Sequence, residues 1–420
     1  MDSVSYIEID GGITLNGEVK IQGSKNAVLP ILTATILNKG FVKLYGCPHI
    51  ADVENMISLL KKIGCKVSWE RDCLSIDTFD IKHGHLEEKY TKAMRSSVFF
   101  IGAMLGRVGY VKLSYPGGCA IGKRPIDIHL QALRNMNVEV IEREDSIICQ
   151  SNHIKGAKII LPFPSVSATE NIIMTAIMAE GETVLINPAR EPEIVELCCF
   201  LKKMGANITW EKGNVIVIKG NSTLHDVEYK VEADRIVAGT YLSALAVTRG
   251  YGVVEANCGK NMYATLEVLK KAGCHIFVEK EKIILKAPQR LLAVPLIETK
   301  PYPKFPTDMQ SQIVAILSLA KGKTTMVEHI FEDRYECVKE LQKMGADILV
   351  DGKVAYINGV EKLKGKCVKA KELRGGAGLV LAGLVAEGVT RVENICYIER
   401  GYEDICGCLS SLGASIRVFH

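Results

Sequence analysis

No stretch of this 420-residue chain reaches the roughly 18 consecutive apolar residues that a membrane-spanning helix needs. An excess of charge of one sign is also missing: 52 basic residues face 48 acidic ones, which leaves no strong overall field to favour nucleic acid or an anionic membrane. Any anion binding must come from local clustering. The N-terminus, MDSVSYIEIDGG, lacks the basic segment and apolar run of a secretory signal, so a cytoplasmic location is expected. The 14 cysteines lack both the paired clusters of a zinc site and the density of a small disulfide scaffold; most are expected as reduced thiols filling the core.

What is present is a repeat. An amphipathic helix ending, a Gly and a strand recur as LLKKIGCKV, ALRNMNVEV, FLKKMGANI, VLKKAGCHI, ELQKMGADI and SLSSLGASI, with marker residues Gly64, Asn137, Gly205, Gly273, Gly345 and Gly413. The markers are 73, 68, 68, 72 and 68 residues apart, so the chain comprises six units of about 70 residues. Each marker follows a last helical turn, where the chain needs the left-handed conformation that Gly adopts freely and Asn tolerates. A second marker, a Gly turn feeding a β-rich strand, lies upstream in each unit as GFVKLYG, GYVKLSYPGG, GETVLIN, GYGVVEAN, GKTTMVEH and GVTRVEN. The segments before it, such as NIIMTAIMAEG and GAGLVLAGLVAEG, predict buried apolar helices.

Nearly half of the chain, 48%, is apolar, and 420 residues are too many for one core. Three units per globule give two similar domains, with a boundary near Asp234-Arg235 and the first strands joined to the C-terminal half. The expected division is 1–24 plus 235–420 as one domain and 25–234 as the other. A closed ring of six units around nucleic acid would require a basic inner face and strong charge asymmetry, which the composition does not offer.

Departures from the repeat mark the chemistry. The largest is LSYPGGCAIGKRPIDIHL, residues 113–130, where Gly117, Gly118 and Gly122 make an exposed loop and Pro125 suits the first turn of the following helix. Cys119 stands in this loop beside Lys123 and Arg124 and just before a helix N-terminus, surroundings that favour a thiolate; a half-buried structural cysteine is the other reading. GSKN at 23–26 opens a helix and can hold a phosphate or carboxylate through backbone N–H groups and Lys25, or leave that lysine solvated. Arg95, Arg190, Arg235, Arg334, Arg374 and Arg400 stand beside turns or helix starts, several at matching places in different units; each is suited to bidentate anion contacts or to a surface ion pair. Asp308, in KFPTDMQSQ, reads as a helix N-cap or as a general base toward a substrate hydroxyl. His129 and His329 read as ordinary polar residues.

Together GSKNAVLP, KAMRSS, PGGCAIGKRPIDIH, PSVSATEN, AREPEI, FPTDMQ, FEDR and RGYE resemble the UDP-N-acetylglucosamine 1-carboxyvinyltransferase family, in the family's order. The resemblance implies the α+β enolpyruvyl-transferase fold, an inside-out α/β barrel of two domains with three βαβαββ repeats each and the active site in the cleft between them. It also implies an enzyme of the first committed step of peptidoglycan precursor synthesis. The 3-hydroxyl of UDP-N-acetylglucosamine adds to C2 of phosphoenolpyruvate while C3 gains a proton, and phosphate then leaves. The implied catalytic set is Cys119 as general acid, able also to form an adduct, Asp308 taking the hydroxyl proton, Lys25 and Arg400.

Lys25, Asn26, Arg124, Arg374 and Arg400 are implied phosphoenolpyruvate contacts, with Arg334 a further candidate. Asn26, Arg95, Arg124, Pro125, Ile126, Asp127, Ile128, Phe163, Pro164, Ser165, Val166, Asp308 and Ile330 match positions that hold the nucleotide sugar. The implied partners are these two small molecules alone, with no metal, cofactor, nucleic acid or membrane. The glycine-rich setting of Cys119 suggests a lid that excludes water. Ser167, Val237 and Tyr397 depart from the family's usual Gly, acidic residue and His. The rival readings are a non-catalytic paralogue that binds the nucleotide sugar as a regulator, and transfer to shikimate 3-phosphate by the sister family, which lacks the PGGCAIGKRP loop.

Overall fold

The computed structural model describes residues 5–81, 83–117, 122 and 125–420. Six inner helices carry almost no polar face. Lys25–Ala34, Phe100–Val108, Val166–Ile177, Arg235–Val247, Gln310–Leu317 and Leu373–Gly383 are buried along most of their lengths, as the apolar runs predict. Outer helices are amphipathic instead: Ala51–Ile63, for example, buries Val53, Met56, Ile57, Leu60 and Ile63 and leaves lysines in its last turn.

All six repeat markers take the left-handed backbone, with φ of 112° at Gly64, 63° at Asn137, 111° at Gly205, 100° at Gly273, 99° at Gly345 and 98° at Gly413. The helix stops there and the chain returns as a strand. Pro125 differs from expectation: the helix begins at Asp127, so the proline precedes its N-cap, Ile126.

The chain divides into two compact units. One holds the chain up to Gln22 and the stretch Ala233–His420; the other spans Gly23–Glu232 apart from 120–123, of which only Gly122 is among the described residues. The described strands form three sheets in each unit, and all but one of the six have four strands. Each four-stranded sheet joins one parallel crossover pair to antiparallel neighbours. In the second unit Val227–Lys230 runs parallel to Phe41–Tyr45, whose other neighbour is Cys73–Asp77; Val42 and Leu44 point to the core and Phe41, Lys43 and Tyr45 away from it. A one-residue slip would exchange those faces, so burial of Val42 and Leu44 fixes the register.

The N-terminal strands complete the first unit. Tyr6–Asp10 lies between Val389–Glu393 and Ser415–Phe419, and Asn16–Lys20 pairs with Tyr251–Glu255. Each unit has its own continuous core, one built around Leu242, Ile313 and Val380 and the other around Ile31, Phe100 and Ile173. Among the described residues no helix is long and apolar enough to cross a membrane.

Candidate active site

In the unit containing the C-terminus, Asp234 caps Arg235–Val247 by accepting from Ile236 N at 2.8 Å and Val237 N at 3.0 Å. Glu372 caps Leu373–Gly383 in the same way, accepting from the backbone N–H groups of Arg374 and Gly375. The third start is the 3-10 turn Thr307–Met309, which feeds Gln310–Leu317 and contains Asp308.

Asp308 does not act as an N-cap. Its carboxylate joins two guanidinium groups, Oδ1 to Arg334 Nη2 at 3.1 Å and Oδ2 to Arg374 Nη2 at 3.0 Å. Arg334 also gives a hydrogen bond to Thr307 O at 3.3 Å and brings Nη1 within 3.8 Å of Glu372 Oε2. Both arginine side chains are almost fully buried, at 2% and 4% exposure, while Asp308 keeps 29%. Burial works against the Arg374 charge, but Asp308, Tyr402 and Asp234 outweigh it and raise its pKa. Two buried arginines and a partly exposed carboxylate thus meet where the helices Gln310–Leu317 and Leu373–Gly383 begin.

The second unit presents its own cationic groups. Ser24 caps Lys25–Ala34, and Lys25 Nζ lies 2.7 Å from Asp52 Oδ2, with side-chain exposures of 11% and 3%. Asn26 follows it, half-buried in the first turn. Arg95 Nη2 donates to Pro125 O at 3.3 Å, tying the KAMRSS turn to the segment Pro125–Ile128. That segment leads into His129, whose Nε2 lies 3.0 Å from Ser167 Oγ, directly after Val166. The two stretches expected to hold the nucleotide sugar, 125–128 and 163–166, are thus linked through His129 and Ser167, the residues that follow them. Within them Phe163 is exposed, Pro164, Ser165, Val166 and Ile128 are half-buried, Ile126 is buried, and Pro125 and Asp127 are exposed.

Ile330 and Arg400 are half-buried in the first unit; the Ile330 N–H donates to Glu328 Oε1 at 2.8 Å, and Arg400 follows the 3-10 turn Ile395–Tyr397. Arg190 is exposed beside the start of Pro192–Lys203. Cys119 and Arg124, with Lys123, lie outside the described residues. Among the described residues no group of three or more His, Cys, Asp or Glu side chains is placed to hold a metal ion.

Three participants were missed in the sequence. Asp52 sits in the first turn of Ala51–Ile63, where an acidic residue is ordinary helix chemistry and gives no hint of Lys25. Glu372 caps a helix although Ser, Thr, Asp and Asn are the usual caps. His129 is not an ordinary polar residue: it is buried, and burial followed by the nearby Arg95 lowers its pKa to about 3, so the ring is neutral.

The family model for EPSP synthase (3-phosphoshikimate 1-carboxyvinyltransferase) matches residues 9–409. A UDP-N-acetylglucosamine 1-carboxyvinyltransferase 2 of Caldanaerobacter subterraneus subsp. tengcongensis is 47% identical over 97% of this chain and 98% of its own length. A UDP-N-acetylglucosamine 1-carboxyvinyltransferase of Halothermothrix orenii is 42% identical over 97% of this chain and 98% of its own. Among solved structures, the enolpyruvyl transferase NikO from Streptomyces tendae superposes with a TM-score of 0.90 at 20% identity, covering 99% of each chain. An EPSP synthase from Acinetobacter baumannii gives 0.76 at 16% identity, covering 99% of this chain and 100% of its own. Both share the enolpyruvyl-transferase fold that the family resemblance implies. With a family match across nearly the whole chain and relatives above 40% identity, the protein belongs to the EPSP synthase family and, within it, to the UDP-N-acetylglucosamine 1-carboxyvinyltransferases.

Proposed function

We propose that this enzyme transfers the enolpyruvyl group of phosphoenolpyruvate to the 3-hydroxyl of UDP-N-acetylglucosamine and releases phosphate, as a cytoplasmic step of peptidoglycan precursor synthesis. The observation that carries the reading is the near-complete overlap, at 42–47% identity, with proteins named for that reaction. The charged clusters support it. Arg334 and Arg374, buried around Asp308, suit the carboxylate and phosphate of phosphoenolpyruvate, and Lys25, Asn26, Arg124 and Arg400 add to that set. Arg95, Pro125–Ile128, Phe163–Val166, Asn26, Arg124, Ile330 and Asp308 are assigned to the nucleotide sugar.

In this mechanism Asp308 takes the proton of the attacking hydroxyl and Cys119 delivers one to C3, so that C2 bonds to the sugar oxygen. Loss of phosphate, with return of a C3 proton, restores the double bond. The buried arginines are fixed before substrate arrives, so they stabilise the developing charge without reorganising.

The test is phosphate release from phosphoenolpyruvate with either UDP-N-acetylglucosamine or shikimate 3-phosphate as acceptor, for the native chain and for Cys119→Ala. Release with the nucleotide sugar alone, abolished in the variant, is the expected result. Release with shikimate 3-phosphate would move the acceptor to the sister family's substrate. Saturable nucleotide-sugar binding without release would make the protein a regulator.

A further inference from the structure

We infer that Glu328 is a positioning residue for the proposed transfer, holding the turn that carries Asp308 and the turn that carries Ile330 in one fixed arrangement; this rests on the activity proposed above. Glu328 ends the strand Lys323–Glu328 and is buried, at 1% exposure. A carboxylate in such a place is costly unless donors meet it, and here four do. Oε1 accepts from Thr299 Oγ1 at 2.7 Å, Ile330 N at 2.8 Å and Phe331 N at 3.2 Å, and Oε2 accepts from Thr307 Oγ1 at 3.0 Å. These donors match the roughly four acceptor sites of a carboxylate.

Two of the bonds lead to Asp308. Thr307 directly precedes it and is held from two sides: its hydroxyl donates to Glu328, and its carbonyl accepts from Arg334 Nη2 at 3.3 Å. The same Nη2 reaches Asp308 Oδ1 at 3.1 Å. The second route runs through Phe331, whose N–H is tied to Glu328 and whose ring centre lies 5.7 Å from the Arg334 guanidinium carbon. Glu328, Thr307, Asp308, Arg334 and Phe331 therefore close a ring of contacts, and removing the Glu328 carboxylate releases Thr307 and Phe331 together.

The anchor of this arrangement is the end of the parallel strand pair. Thr299 stands opposite Glu328 in the register of Leu296–Thr299 against Lys323–Glu328 and is fully buried. Its hydroxyl gives its hydrogen to Glu328 Oε1 and accepts from His329 N at 3.0 Å. A carboxylate that only fastened two strand ends would need Thr299 and the N–H groups of Ile330 and Phe331. The bond from Oε2 goes further, because it ties that strand end to the 3-10 turn Thr307–Met309 and so to the carboxylate assigned as the base. Glu328 is buried while Asp308 keeps 29% exposure, so Glu328 acts through Asp308 rather than on the substrate. A general base works only within hydrogen-bond reach of its proton, and a misplacement of about 1 Å costs on the order of 100-fold in rate.

The test is phosphate release with UDP-N-acetylglucosamine by the native chain, Glu328→Ala, Thr307→Val and Thr307→Ser, and by Thr307→Val combined with Asp308→Asn, with a thermal melt of each. Thr307→Val takes away the hydroxyl at nearly constant shape, so the role stays testable where Glu328→Ala does not fold. Glu328→Ala and Thr307→Val should lower kcat by about 10–100-fold while the KM for phosphoenolpyruvate stays within about threefold of native. Thr307→Ser, which keeps the donor, should retain kcat to within about threefold. In Asp308→Asn no base remains to be placed, so adding Thr307→Val should lower kcat by less than about twofold. A kcat for Thr307→Val within about threefold of native, whatever its melting temperature, would overturn the inference and leave Glu328 as a fastening of the fold. So would Thr307→Ser as slow as Thr307→Val, or the full loss repeated in Asp308→Asn. A native chain that releases no phosphate would sink the proposed activity itself and this inference with it.

Discussion

Replacing Asp308 with Asn separates the two tasks assigned to that carboxylate. Asn keeps the shape but has one acceptor oxygen, and its NH2 group is turned against one of the two guanidiniums now held at 3.0 and 3.1 Å. Arg334 and Arg374 are almost fully buried, and the counter-charges that would remain are Glu372, 3.8 Å from Arg334, and Asp234, which acts on Arg374. Breaking a buried ion pair from one side costs about 3–5 kcal/mol. Asp308 is 29% exposed, so water offsets part of this and a loss of about 2–3 kcal/mol is expected. In a unit of this size that lowers the melting transition by about 5–10 °C. Loss of a general base slows turnover by about 10²–10⁴-fold. Differential scanning calorimetry reads the first effect and phosphate release at saturating substrates reads the second. Turnover within tenfold of native would refute Asp308 as the base, and an unchanged melting transition would refute it as the counter-ion of the buried arginines.

Gly345 sits at φ 99° with nothing within 4 Å of where a Cβ would stand, so Gly345→Ala should cost about 1–2 kcal/mol through backbone strain alone, measurable by urea unfolding. Acid stability should bear the mark of His129: its folded pKa, about 3, lies below the ordinary 6.5, so the unfolded chain binds the extra proton and stability falls as pH drops from 6.5 toward 3. The slope is roughly 1.4 kcal/mol per pH unit, and it should be shallower in His129→Gln across a series of urea melts. Glu170 has the opposite sign. Burial pushes its pKa well up, Glu193 and Glu191 add to this, and neither carboxyl oxygen has a hydrogen-bond partner among the described residues, so stability is lost as pH rises above 4.5 and Glu170→Met should be more stable than native at pH 8. Burial holds the Cys47, Cys65, Cys149, Cys198, Cys274 and Cys337 thiols up to about 12; mass spectrometry after alkylation of the native protein at pH 8 should find them unmodified while Cys396 reacts.

The repeat was legible because its signals are local. A Gly or Asn after the last turn of an amphipathic helix meets the same backbone requirement six times, and the positive φ at Gly64, Asn137, Gly205, Gly273, Gly345 and Gly413 follows from that requirement alone. Strand order is less local. Tyr6–Asp10 takes its place between strands some 380 and 410 residues away, a pairing decided by which edges the rest of the core leaves open. Arg334, Arg374 and Asp308 could be singled out one by one as charges beside helix starts; their mutual distances come from the packing of Gln310–Leu317 against Leu373–Gly383.

His129 shows where a legible signal was passed over. Residues 129, 132, 133 and 136 fall at helical spacing, and all four are buried, so the histidine occupies the apolar face of Asp127–Asn135 and the residue just past its end. A titratable ring on such a stripe must find partners inside the protein, because burial without them costs more than the packing returns. The periodicity therefore contained the demand for partners. Asn171 and Ser167, about 40 residues further on, meet it only once the helices Asp127–Asn135 and Val166–Ile177 pack together.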